Sequence, residues 1–374
     1  MKDIKFIGVV SRKLFEASAN QWIGENGELL DLWFKPKPNP TKFLDNFFNL
    51  WRYLDVLPIE NTSQIVSLGE TITPLVEIKF SNGLKTKIKQ DQLFPTGSYK
   101  DRGAAVLISF LKYYGATNVI QDSSGNAGAS IAAYAARADI SCEIFLPEDT
   151  SNGKILQMKS YGAKINKIAG DRDATAKATL FAAQEKIYAS HCYHPVFLQG
   201  TKTFVYELIE QLNYKSPTAI VVPAGNGTLL LGCYIGLVEL YNAGLIHSIP
   251  KLIAIQSEAC NPLYRKHVGL NPIEKASKTI AEGIAILHPV REKQMLEAVS
   301  ATGGTFISVT DNEVIEAWKE VSKQGFFIEP TSAATIAGLL KYANQTENSN
   351  DIVSLFSGNG LKSLDKINQF TFES

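Results

Sequence analysis

The chain lacks most of what would tie it to an oxidising, membranous or nucleic-acid setting. Its four cysteines, Cys142, Cys192, Cys233 and Cys260, stand far apart with no CxxC pair. That excludes a disulfide framework and a zinc ribbon and implies a reducing, cytoplasmic environment. His191 and His194 flank Cys192, but no third and fourth ligand follows at useful spacing, so no metal is expected. No stretch reaches the about 18 apolar residues that a spanning helix needs. The apolar opening MKDIKFIGVVSRKLFEASA is cut by Arg12 and Lys13, too soon for a secretory signal. Lys+Arg and Asp+Glu both number 37, and no basic track interleaves with aromatics, which argues against a nucleic-acid partner. Repeats of fixed period and low-complexity tracts are missing too.

What remains is an ordinary globular composition, 45% apolar and 20% charged over 374 residues, more chain than one core usually holds. Two lobes with a cleft between them follow as the expectation. The first 65 residues read as an irregular, aromatic-rich arm, with an extended connector at Lys35 to Pro40 (KPKPNP) before a helical DNFFNLWRYLDVL. From Lys85 a rhythm sets in. Short β-branched or apolar runs (KTKIK, NVIQ, CEIFL, AKINKI, AIVV, KLIAI, TFISV, IVSLF) alternate with helical patterns, which predicts a parallel sheet covered by helices. Several runs end directly in small or hydroxylic residues: QDSSGNAG from Gln121, PAGNGTL from Pro223 and SGNGL from Ser357. Carboxyl ends of strands in open α/β sheets face the ligand crevice, so these loops are candidates for one shared site.

Read residue by residue, each loop keeps two meanings. Lys100, in FPTGSYKDRG, stands at a predicted helix entrance, where the positive end of the helix favours the neutral amine needed to condense with a carbonyl. A lone loop lysine, however, is usually just solvated. Gly225-Asn226-Gly227-Thr228-Leu229 follows a strand and opens a long apolar helix, the arrangement of an anion cradle. A strand ending in Glu258 further on would also suit a dinucleotide fold, although the glycine spacing does not fit GxGxxG. Ser123-Ser124-Gly125-Asn126-Ala127 reads equally as a helix N-cap and as a receptor for a substrate carboxylate.

In their order along the chain, PTGSYKDRG, SSGNAGAS, VPAGNGT, EPTSAAT and SGNGLK resemble the motifs of fold type II pyridoxal-phosphate enzymes, the tryptophan synthase β family. NLWRYLDVLP, GETITPL and SGNGLK make the chain most similar to the threonine synthase family within it. The resemblance implies an α/β fold of two open parallel-sheet domains covered by helices, with pyridoxal 5′-phosphate in the cleft. It places a large domain at 66–103 and 199–374, to which the 1–65 arm adds, and a small mobile domain at 104–198 that closes on the substrate. Lys100 is then the lysine that carries the cofactor covalently, and Tyr99 the aromatic residue beside it. Asn126 faces the phenolic oxygen, and Gly225, Asn226, Gly227, Thr228 and Leu229 form the phosphate loop. Ser357 is the hydroxyl partner of the pyridine nitrogen. A neutral hydroxyl there implies a ring nitrogen left largely unprotonated.

For the substrate, the same resemblance assigns the carboxylate to Ser123, Ser124, Gly125, Asn126 and Ala127, and the substrate phosphate to Ser98, Arg102, Lys202 and Thr203. Lys202 serves equally well as a helix-capping residue. Phe94 stands where the family has asparagine, Asn359 where it has histidine, and Gly227-Thr228 resembles relatives that use serine or threonine derivatives. The expected reaction is that of a lyase: O-phospho-L-homoserine and water give L-threonine and phosphate by γ-elimination and β-addition. The alternatives are a serine/threonine dehydratase or β-replacement synthase on the same scaffold, and a non-catalytic amino-acid-binding homologue. The implied partners are a small amino-acid substrate and a second copy of the chain in a homodimer, with no nucleic acid or membrane.

Overall fold

The computed structural model describes residues 2–36, 38–40, 43, 47–150, 152–170, 172–346 and 351–371. Lys37 of the expected connector and Asp45 and Asn46 of the expected helix lie outside them. The described chain divides into two compact units, 1–72 with 100–203, and 73–99 with 204–374.

The first unit begins with strands β1 (Lys5–Gly8), β2 (Leu14–Glu16) and β3 (Leu30–Trp33), β1 pairing antiparallel with both others. Leu50–Val56 is a 3-10 helix whose start is capped by Asn49, its side chain accepting from the Trp51 N–H. The second unit opens with the antiparallel pair β4 (Leu75–Lys79) and β5 (Lys85–Lys89). The chain then returns to the first unit as α1 (Lys100–Tyr113), β6 (Asn118–Gln121), α2 (Asn126–Ala138), β7 (Ser141–Pro147), α3 (Asn152–Ser160), β8 (Lys164–Ile168), α4 (Arg172–Ala182) and α5 (Pro195–Thr201). Strands β6, β7 and β8 form a parallel sheet in that order.

The rest of the second unit is α6 (Thr203–Gln211, its first residue in the first unit), β9 (Ala219–Pro223), α7 (Thr228–Asn242), β10 (Lys251–Ser257), α8 (Pro262–His267), α9 (Glu292–Ala301), β11 (Thr305–Val309), α10 (Asp311–Ser322), α11 (Pro330–Ala343), β12 (Ile352–Leu355) and α12 (Leu364–Thr371). Its six-stranded sheet runs β11-β10-β9-β12-β5-β4, parallel except for the edge strand β4. Every residue of AIVVP in β9 and of IVSL in β12 is buried, which is why these strands read as unbroken apolar runs: helices cover both faces.

All eight runs read as strands in the sequence are strands. The arm differs from its expectation in two ways. It carries β1–β3, and it belongs to the unit that holds α1 and α2, not to the C-terminal half. The physical reason is a common core: Phe6, Leu30, Leu50, Trp51 and Leu57, each fully buried, pack in one cluster with Ala104 to Leu111 of α1 and Ile131 and Tyr134 of α2. Trp51 ties the arm further by donating its indole N–H to the buried Glu70 at 2.9 Å. Among the described residues, no helix is long and apolar enough to cross a membrane.

Candidate active site

In the second unit, parallel pairing sets Ala219 of β9 opposite Ile352 of β12 and Ile220 opposite Val353. Residues 224–228 and 356–359 therefore emerge side by side at the carboxyl end of the sheet. Strand β5, the other neighbour of β12, leads from the same end into Phe94–Tyr99. Three of the sequence motifs thus meet through strand order alone, as ligand crevices of open α/β sheets do.

The turn after β9 depends on glycine. Gly227 has φ +74°, and a side chain there would run into Met295, so a residue without Cβ is required. Helix α7 starts at Thr228 with no side-chain cap, which leaves its first-turn N–H groups to be satisfied from outside the helix. Tyr99 and Thr228 come together, Oη to Oγ1 at 3.1 Å. Asn226 is half-buried and Leu229 fully buried.

Ser357 follows β12 and is fully buried. Its hydroxyl donates to Glu329 Oε1 at 3.1 Å and lies 3.0 Å from Ser332 Oγ. Neither Glu329 nor Ser332 was singled out as a site residue in the sequence. Both belong to the quoted EPTSAAT motif, and their signal is a polar residue on each side of the proline that starts α11. The segment is held by backbone bonds: Tyr99 N–H to Ser357 O at 3.0 Å, and Asn359 N–H to Gly97 O at 2.9 Å. Ser98, bridged through its backbone to Gly358, buries an Oγ that has no hydrogen-bond partner among the described residues.

The chain passes into the first unit between Tyr99 and Lys100. Lys100 is the first residue of α1, as the sequence implied, and its Nζ sits 5.8 Å from the centroid of the Phe197 ring. Arg102 and Thr203 are brought together, Nη1 donating to Oγ1 at 3.1 Å, and both are fully buried. Lys202 is also fully buried, and its Nζ lies over the Phe34 ring at 5.6 Å.

The loop after β6 leads into α2, which begins at Asn126 without a side-chain cap. Ser123 is buried and accepts from the Gly125 N–H at 3.3 Å, while Ser124 and Asn126 are half-buried, Gly125 exposed and Ala127 buried. Two buried groups near this loop are perturbed. Burial raises the carboxyl of Asp122, next to Ser123, against the opposing hydrogen bond from Tyr188. Burial, then the positive charges of Lys100 and Arg172, hold His191 well below the usual imidazole range, so this ring is neutral. His191, read in the sequence as no metal ligand, is buried, its Nε2 lying 3.1 Å from Cys192 Sγ.

A family model described as pyridoxal-phosphate dependent enzyme matches residues 66–358. Threonine synthase from Methanocaldococcus jannaschii is 36% identical, with 91% of this chain and 88% of the relative covered. Threonine synthase from Methanosarcina acetivorans is 34% identical, with 84% of this chain and 80% of the relative covered. The structure of maize serine racemase, at 20% identity, shares the fold with a TM-score of 0.67 over 80% of this chain and 91% of that one. The chain belongs to the pyridoxal-phosphate dependent enzymes and, among them, to the threonine synthase family.

The residues present fit that cofactor: helix α7 starts beyond Gly227 without a side-chain cap, as a phosphate at a helix start requires, and Ser357 offers an oxygen held by Glu329 and Ser332.

Proposed function

We propose that this chain converts O-phospho-L-homoserine and water to L-threonine and phosphate. The observation that supports it best is the strand order: β5, β12 and β9 deliver Tyr99, and Lys100 after it, Ser357 and the 225–229 turn from one end of one sheet, in a chain with threonine synthases as its sequence kin. Lys100 holds the cofactor covalently, Gly225, Asn226, Gly227, Thr228 and Leu229 its phosphate, and Ser357 its ring nitrogen. Asn126 faces its phenolic oxygen, and Tyr99 orients Thr228. When bound, pyridoxal phosphate supplies the electron sink that makes protons on the substrate carbons removable.

The rest falls to the chain's own groups. Ser123, Ser124, Gly125 and Ala127 take the substrate carboxylate at the uncapped start of α2. Ser98, Arg102, Lys202 and Thr203 bind the substrate phosphate by hydrogen bonds, charge-assisted at Arg102 and Lys202. Once the substrate amine has displaced it, the Lys100 amine removes protons from Cα and Cβ. The Cγ–O bond breaks, its electron pair leaving with phosphate, and a proton is delivered at Cγ. Water then adds through oxygen at Cβ and gives up a proton, one proton returns to Cα, and the proton left over goes to the released phosphate. Closure carries Ser123 to Ala127 onto the substrate carboxylate and excludes water until that step.

A second reading, a serine/threonine dehydratase, is favoured by Gly227-Thr228 alone. Incubating purified holoenzyme with O-phospho-L-homoserine separates the two. Phosphate and threonine in equal amounts is the expected outcome, and ammonia with a 2-oxo acid from threonine or serine, without that turnover, would replace the proposal with the second reading. A cytoplasmic homodimer goes with the proposal, supported by four buried free cysteines and by the family resemblance. Sedimentation as a monomer would remove the dimer.

A further inference from the structure

Helices α1 and α5 cross closer than side chains would let them, because each presents a glycine at the crossing. A Cβ on Gly200 would run into the Arg102 carbonyl, and one on Gly103 into the Phe197 ring. The space that Gly103 leaves is filled by that ring, which lies fully buried against the first turn of α1. Lys100 starts the same turn, and its Nζ stands over the ring, 5.8 Å from the centroid.

The ring is held in this place from both ends of its helix. Pro195 opens α5 with His194 accepting from the Val196 N–H, and beyond the helix Thr203 accepts from Arg102 at 3.1 Å and donates to the Gly200 carbonyl at 2.8 Å. The helix that carries Phe197 is thus fastened to α1 two residues past Lys100. His191 is a second neighbour of the ring, its centroid 6.1 Å away at an interplanar angle of 69°. Its imidazole is kept neutral by burial and then by the charges of Lys100 and Arg172, so it adds no positive charge beside the ring.

In the proposed reaction the Lys100 amine that removes the Cα proton becomes an ammonium, while the electron pair of that C–H bond stays with the substrate and is drawn toward the bound cofactor. When the proton returns to carbon, the ammonium is an amine again. Between those two moments a positive charge has to be tolerated in a site closed to water. An aromatic face within about 6 Å attracts an ammonium, and it does so without the full negative charge of a carboxylate, which would hold the proton against its return. We propose that Phe197 is a positioning residue that holds protonated Lys100 between proton transfers, its ring face stabilising the ammonium formed when the lysine takes a substrate proton. The inference rests on the reading of Lys100 as the base.

The test changes the charge of the ring face and leaves its shape nearly unchanged. Phe197 is replaced in the full chain by 4-fluoro- and by 3,4,5-trifluorophenylalanine, and the holoenzyme is followed by proton NMR as it exchanges the Cα proton of L-threonine with heavy water. Fluorine draws electrons from the face, so the exchange rate is expected to fall stepwise along the series, by about threefold to thirtyfold at the trifluoro ring, with cofactor affinity and the KM for O-phospho-L-homoserine unchanged. Phe197→Tyr keeps an aromatic face and is expected to stay within about threefold of wild type, whereas Phe197→Leu should fall at least as far as the trifluoro ring. A trifluoro ring that exchanges at the wild-type rate overturns the proposal, whether or not Phe197→Leu folds. A loss in Phe197→Leu without a trend along the fluorinated series overturns it as well, and leaves Phe197 a packing residue. Exchange that survives in Lys100→Ala supplied with cofactor removes Lys100 as the base, and the proposal falls with that reading.

Discussion

Two turns of nearly the same composition, SSGNAG after β6 and SGNG after β12, are built in opposite ways. At SGNG the serine is fully buried and shares its hydroxyl with Glu329 and Ser332. At SSGNAG the Ser123 hydroxyl accepts a long bond, 3.3 Å, from the Gly125 N–H two residues on, and Ser124, Gly125 and Asn126 all reach solvent. The first turn is organised before any ligand arrives; the second has its donors at an uncapped helix start and takes its order from what binds. The rigid turn suits a resident cofactor, the open one a substrate that comes and goes.

The largest effect that would break this contrast is on stability. Ser357→Ala strips Glu329 of a buried donor and is expected to cost about 1–3 kcal/mol in the cofactor-free chain, whereas Ser123→Ala should cost about 1 kcal/mol or less. Thermal melts of both variants decide it, and equal losses would mean that the two turns are alike. Next is Tyr99→Phe, which removes the hydroxyl 3.1 Å from Thr228 on the preorganised side. Losing one neutral hydrogen bond of about 1 kcal/mol should weaken cofactor binding roughly fivefold by equilibrium titration. An unchanged affinity would show that Thr228 needs no orienting.

The smallest effect concerns the arm. Lys2 donates to the carbonyls of Leu54, Leu57 and Ile59, and burial lowers it from 10.5 to about 8, against the attraction of Asp55. Between about pH 8 and 10.5 the unfolded chain holds a proton on Lys2 that the folded chain has lost, so folding stability contributed by this group rises with pH. Denaturant melts should show that rise in wild type and a flatter profile in Lys2→Met. A parallel profile would remove Lys2 as an ionisable anchor.

The parts legible in the sequence are those where one strand's composition suffices. AIVVP and IVSL are buried on both faces and read as apolar runs, and their glycine and serine ends pointed to a site. Strands β1, β2 and β3 were not read, because three or four residues of mixed exposure carry no period. Strand β4, LVEIK, is an edge strand with one residue of five buried, and it hides for the same reason. Glu329 and Ser332 escaped because their tie to Ser357 spans 28 and 25 residues and exists only once α11 packs beside β12. Lys202 shows the converse: its motif was visible, but the direction of its side chain, toward Phe34, depends on the arm's third strand.

The claim on which all of this rests is that the cofactor is carried by the lysine that follows the β5-side motif, at the first residue of α1. Borohydride reduction of the holoenzyme followed by peptide mapping tests it most directly. The account predicts that the cofactor mass is found on Lys100 and on no other lysine, and that Lys100→Ala protein retains no reducible cofactor and loses activity by at least roughly 10²–10⁴-fold. Cofactor mapped to another lysine, or still reducibly attached in Lys100→Ala, would contradict it.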